Sequence, residues 1–173
     1  MTQTTTATPL RAGAWTVRSD RTTVGFAVRD LGLTVRGRIP CTAGALTVED
    51  AGRPVMLTAE LALDGIDTGI RRRDADLRKP RFLDVDNHPT MTFRCTDFRE
   101  TADGWAADGT LGVRGTSCPL TLSGSGEPDS TAGMLHLTAT ATLDRRATGL
   151  RAPRLLIGHQ VRISIDTWLD APR

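Results

Sequence analysis

Val55-Met56-Leu57-Thr58-Ala59-Glu60-Leu61-Ala62-Leu63 is the stretch that decides the fold class of this chain. Val55, Leu57, Ala59, Leu61 and Leu63 recur at every second residue, while Thr58, Glu60 and the following Asp64 fall on the other side. A period of two belongs to a strand with one buried face, because a helix of 3.6 residues per turn would mix the two classes. Leu135, Leu137, Ala139, Ala141 and Leu143 repeat the pattern, with His136, Thr138, Thr140 and Thr142 between them.

Shorter runs of the same kind fill most of the remaining chain. Trp15 to Arg18, Val24 to Val28, Leu33 to Ile39 and Ala45 to Val48 read as strands, with a turn expected at Asp20-Arg21. Met91, Phe93 and Cys95 share a face, and Asp103-Gly104 marks a hairpin before Trp105, Ala107, Gly109, Leu111 and Val113. Leu120 and Leu122 continue the pattern, Ser123 to Gly133 reads as a loop, and Val161, Ile163 and Ile165 mark the last strand. One short helix is expected over Arg71 to Lys79, capped by Asp67 or Thr68 and stopped by Pro80. About eight to ten strands with one short helix predict an all-β sandwich or barrel, and a barrel hides its sheet edges. Val35-Arg36-Gly37 and Val113-Arg114-Gly115 each place a glycine in an extended run, where a bend or a close approach is expected.

Composition narrows the class further. The 173 residues suit a single domain, with a flexible leader expected over residues 1–13, the domain over 14–170 and a tail over 171–173. No apolar run approaches the roughly 20 residues of a membrane-spanning helix, which excludes integral membrane insertion by helices. With 22 basic and 20 acidic side chains the net charge is +2, which gives no general reason to expect a nucleic-acid partner. The chain holds 26 threonines but no tyrosine, so its core must be built with few large rings. The leader lacks the basic start and apolar stretch of a secretory signal, so a cytoplasmic location is expected. Cys41, Cys95 and Cys118 are odd in number and widely spaced, which fits buried free thiols in a reducing compartment.

The search for chemistry finds no catalytic residue. His88, His136 and His159 are dispersed, no CxxC or HExxH pattern occurs, and no metal or cofactor is assigned. No GxSxG elbow or phosphate-binding glycine loop is present. Asp74, Asp76, Asp84 and Asp86 form the densest carboxylate group, but Arg71, Arg72, Arg73, Arg78, Lys79 and Arg81 lie among them. Surface ion pairing explains that mixture better than an acid–base pair.

Several motifs in order carry a family resemblance. Asp67-Thr68-Gly69, Arg73-Asp74, Phe82-Leu83-Asp84 and His88-Pro89-Thr90-Met91-Thr92-Phe93 resemble the central region of the YceI-like family of polyisoprenoid-binding proteins. Val24 to Val28 with Leu31-Gly32, Val35-Arg36-Gly37, Gly109 to Thr116 and Val161 to Asp166 resemble its other strands, so the likeness runs from about Ala14 to Leu169. Departures from its pattern are Asp30 and Asp76 at histidine positions, His88 at a tyrosine position and Thr148 at an aromatic one. The resemblance implies a lipocalin-like antiparallel β-barrel with an internal apolar cavity. It also implies noncatalytic binding or carriage of a polyisoprenoid or other fatty-chain amphiphile, and the capacity to form a homodimer. On that reading Phe26, Leu61, Phe93 and Leu137 are wall candidates, and Arg73, Asp74, Asp76 and Arg78 are candidates for the rim around a polar head group. The competing expectation is a structural or stress-related interaction domain that keeps the barrel but fills it, with no lipid ligand.

Overall fold

The computed structural model describes residues 9–150 and 157–173. It contains nine strands: β1 (Gly13–Asp30), β2 (Leu33–Arg38), β3 (Cys41–Val48), β4 (Pro54–Ala62), β5 (Thr90–Thr101), β6 (Gly104–Val113), β7 (Thr116–Asp129), β8 (Met134–Asp144) and β9 (Ile157–Asp170). Helix α1 (Arg71–Arg78) lies in the β4–β5 connection. Every pairing is antiparallel, in the order β2-β1-β3-β4-β5-β6-β7-β8-β9, and β1 also pairs with β9. Eight strands, β1 and β3 to β9, therefore close a ring, and β2 flanks one half of β1.

The length of β1 makes that closure. Its first residues, Gly13 to Thr16, pair with β3, its last, Gly25 to Asp30, pair with β2, and β9 runs along the other edge. The turn expected at Asp20-Arg21 is absent. The strand instead continues through a register shift between Val17 and Thr22, a bulge that bends the strand without reversing it. Thr22 holds the bend by donating from Oγ1 to the Arg18 carbonyl at 2.6 Å.

The segment from Ser123 to Gly133 also departs from its reading as a loop, because β7 runs on to Asp129 and only the last few residues turn. Its glycine is a packing requirement there. A Cβ on Gly124 would stand 2.0 Å from the Thr138 carbonyl oxygen of β8, so no side chain fits between these strands. Helix α1 is one residue shorter than expected, and neither Asp67 nor Thr68 caps it. Ile70 occupies the cap position without a side-chain bond, and buried Asp74 reaches back to accept from Thr68 N and Oγ1 instead.

The two ends of the barrel differ. At the base, Trp15, Leu46, Val48, Leu135, Leu137 and Leu169 pack into one cluster, and Leu10 lies against it. Trp15 Nε1 donates to the Arg11 carbonyl at 2.9 Å, which satisfies the indole while its rings close the floor. Of the leader expected over 1–13, residues 1–8 lie outside the described residues. At the other end Ile39, Leu63, Ile66, Leu83, Val85 and Val113 pack beneath the β4–β5 connection. Arg114 Nη1 donates to the Phe82 carbonyl at 2.6 Å and holds that connection to the β6–β7 turn. Val55 is the exception to the alternation in β4: it is 38% exposed, next to a register shift in the β3–β4 pairing.

Candidate functional site

The centre of the barrel is hollow. A cavity of about 300 Å³ is enclosed by residues from all eight ring strands, from β2, and from the β4–β5 and β8–β9 connections. β9 shows how the lining arises, since Val161, Ile163, Ile165, Thr167 and Leu169 all reach it from alternate positions of one strand. At ~3.3 Å per residue and a tilt of ~40°, that run spans ~20 Å along the barrel axis. The lining thus extends along much of the barrel axis.

The lining is mostly apolar, and several of its polar groups are hydrogen-bonded within the wall. Thr22 and Thr167 share a hydroxyl–hydroxyl bond of 2.6 Å near the floor. Thr148, 1% exposed in the short 3-10 turn after β8, donates from Oγ1 to the Arg145 carbonyl at 2.6 Å. Thr68 donates to Asp74. The Cys41 thiol, also on the wall, has its pKa pushed up by burial and stays protonated at neutral pH. Three charged residues line the space, Asp30, Arg73 and Arg145, all near the end opposite Trp15. Arg73 donates from Nε to Thr68 Oγ1 at 2.8 Å and from Nη2 to the Thr68 carbonyl at 3.0 Å. Arg145 donates to the carbonyls of Gly158 and Leu150. These bonds to Thr68, Gly158 and Leu150 fix where both guanidiniums stand.

Of the sequence-derived candidates, Phe26, Leu61, Phe93 and Leu137 all lie on the wall, and Arg73 lies among them at the rim. Asp74, Asp76 and Arg78 do not line the cavity. Asp74 is buried beneath Thr68 and buttresses Arg73 through it. Asp76 bonds Lys79 at 2.6 Å, and that contact holds its carboxyl below the usual carboxylate range. Arg78 donates to the Ile66 carbonyl at 3.2 Å and so pins the helix to the preceding turn. Asp30 and Arg145 were not singled out as site residues, although alternation could have found them. Asp30 continues Val24, Phe26 and Val28 on β1, and Arg145 continues Ala141 and Leu143 from β8.

No histidine, serine, lysine or glutamate lines the cavity among the described residues. No group of three or more His, Cys, Asp or Glu side chains among them is placed to hold a metal ion. No helix of the described residues is long and apolar enough to cross a membrane.

A closed antiparallel barrel around an apolar space is a lipocalin-like fold with room for a hydrophobic ligand. The family model of the YceI-like domain matches residues 15–169, and the chain belongs to that family. Among curated relatives, a UPF0312 protein of Yersinia pestis is 28% identical over 101 residues, 57% of this chain and 53% of the relative. A UPF0312 protein of Yersinia enterocolitica is 36% identical over 59 residues, 34% of this chain and 31% of its own length. The chain thus aligns with about half the length of the curated relatives it matches.

Solved structures agree on the fold. BcnA of Burkholderia cenocepacia superposes with a TM-score of 0.77 at 12% identity, covering 88% of this chain and 98% of that one. A polyisoprenoid-binding domain of Saccharophagus degradans, implicated in plant cell wall breakdown, gives 0.69 at 14% identity, covering 91% and 98%. The YceI protein of Campylobacter jejuni gives 0.67 at 15% identity, covering 80% and 86%.

Proposed function

We propose that this protein binds and carries a long-chain amphiphile, a polyisoprenoid or a fatty chain, with its tail along the barrel axis and its polar head at Arg73 and Arg145. The observation that carries this reading is the apolar cavity inside the barrel, whose wall is built from Phe26, Leu61, Phe93, Leu137 and their neighbours. Removing a flexible apolar chain from water contributes roughly 25 cal/mol per Å² buried, and such a wall asks for little else. The head-group assignment is supported by two fixed guanidiniums at one end of an otherwise apolar lining. It replaces the sequence-based set at the rim by keeping Arg73, adding Arg145 and giving Asp74 a supporting role. Family membership and the likeness to a polyisoprenoid-binding domain favour an isoprenoid tail. A cytoplasmic site of action fits the three unpaired, buried cysteines.

Native mass spectrometry of gently purified protein tests the reading. It is expected to find one bound lipid per chain, or uptake of a polyisoprenoid alcohol or a fatty acid by protein stripped of lipid. Protein that holds none and takes up neither would overturn the proposal.

A further inference from the structure

The cavity needs a source for its cargo, and the surface at its charged end, where Asp30, Arg73 and Arg145 line it, is unusual. Four large hydrophobic side chains stand well exposed among the described residues, and three of them, Leu31 (70%), Leu33 (73%) and Ile70 (52%), lie at that end. Leu31 and Leu33 form the tip of the β1–β2 hairpin. Ile70 precedes α1, and Arg38 of β2 exchanges two backbone hydrogen bonds, of 2.9 and 3.0 Å, with Asp67 just before it. The base of the hairpin and the approach to the helix are thereby held together on one side of this end of the barrel.

Leu31 is held at φ +49° and Gly32 at +80°, positive at both central residues, as a two-residue hairpin turn of the I′ kind requires. Asn or Asp fits that first position, whereas a bulky leucine there is strained. A residue that is both strained and almost fully exposed gains nothing for the fold. Strain of this kind points to function. Leu33 shares the strand face of Val35, and Val35 lies opposite Val28 with both on the cavity wall. The exposed apolar surface is therefore continuous with the lining.

Charge names the partner. Arg29 and Arg36 flank the hairpin tip, Arg71 and Arg72 follow Ile70, and all four are exposed with no ion pair among the described residues. Of the acidic groups in the same connection, Asp76 is paired with Lys79, Asp74 is buried against Thr68, and Asp67 and Asp84 accept from Gly69 N and Asn87, while Asp64 and Asp86 stand exposed away from Ile70 in sequence. A second copy of this chain would bring arginines against arginines. An anionic lipid surface satisfies both features, since leucines insert at the acyl boundary while arginines meet phosphates.

We infer that the surface formed by Leu31, Leu33 and Ile70 with Arg29, Arg36, Arg71 and Arg72 docks this end of the barrel onto anionic phospholipid membranes, so that cargo passes between bilayer and barrel. This rests on the lipid-carrier reading, but it has its own readout. Flotation with phosphatidylcholine vesicles, with and without phosphatidylglycerol, is expected to show binding only to the anionic vesicles, weakening as salt is raised. The combined variant L31N/L33T/I70S is expected to bind them roughly tenfold more weakly or worse. L31N creates an Asn-Gly turn, so the variant should keep its melting temperature and its uptake of a fluorescent fatty acid in vesicle-free buffer. Wild-type protein that ignores anionic vesicles, or a variant that binds them as well as wild type, would overturn the inference. So would a wild-type dimer in vesicle-free buffer that the variant loses, with no vesicle binding by either. Vesicle binding without fatty-acid uptake would uphold the docking surface while sinking the carrier reading.

Discussion

Gly37 of β2 and Phe26 of β1 sit opposite each other, and a Cβ on the glycine would lie 2.4 Å from the phenylalanine ring. The missing side chain is what lets this ring lie flat against the strand and line the cavity. Gly37→Ala also places a methyl group 3.0 Å from the Asp67 carbonyl, so the backbone cannot simply give way. The substitution should cost about 1–3 kcal/mol, read as a lower urea midpoint at unchanged m-value, and should weaken fatty-acid uptake by pushing Phe26 into the cavity.

Asp74 separates charge from hydrogen bonding. One oxygen, Oδ1, accepts both from Thr68 N and from Thr68 Oγ1. Asp74→Asn keeps a carbonyl oxygen at that position and is expected to be well tolerated. Asp74→Ala leaves two buried donors unpaired and should cost about 1–3 kcal/mol in chemical denaturation. Equal effects of the two substitutions would contradict this account.

The cavity can be closed from within. Ala59 lies on the wall beside Leu57 and Leu61, so Ala59→Phe projects a ring into the space. Uptake of a fluorescent fatty acid should fall about tenfold or more, equivalent to roughly 1.4 kcal/mol. The protein should remain folded by circular dichroism, because the added ring enters empty volume and displaces no neighbour.

The two rim guanidiniums predict a preference in the head group. Arg73→Gln should weaken a fatty acid more than the fatty alcohol of equal length, since only the acid loses a charge-assisted contact. The ratio of the two dissociation constants is the quantity to measure, because partial unfolding changes both alike. An unchanged ratio would remove Arg73 from the head-group site.

Cys41, Cys95 and Cys118 are all buried and unpaired, and burial raises the pKa of each thiol. A raised pKa means less thiolate at any given pH, so alkylation of the native protein should begin only at higher pH than for free cysteine. Iodoacetamide at neutral pH is expected to label none of the three in native protein and all three in urea.

Much of this molecule was legible in residue order. The alternation at Val55–Leu63 and Leu135–Leu143 identified strands and the side each presents inward, because side-chain direction in a strand follows from parity alone. Phe26, Leu61, Phe93 and Leu137, wall candidates on the family resemblance, line the cavity, and the short motifs marked the family. Local polarity misled at two points. Asp20-Arg21 resembles a turn, yet the pairing with β9 carries the strand through it as a bulge. Ser123 to Asp129 resembles a loop, but small residues there are what two neighbouring backbones require.

Tertiary structure alone decided the rest. Whether inward residues meet or leave a space depends on how far apart the strands of a closed ring stand, which no single strand records. The roles of Asp74, Arg73 and Arg145 likewise depend on contacts made only after folding. Asp74 turned inward to Thr68, while Arg145, from a connection remote in sequence, came to line the same cavity as Arg73. Folding brought Leu31, Leu33 and Ile70, separate in sequence and exposed, to the same end of the barrel.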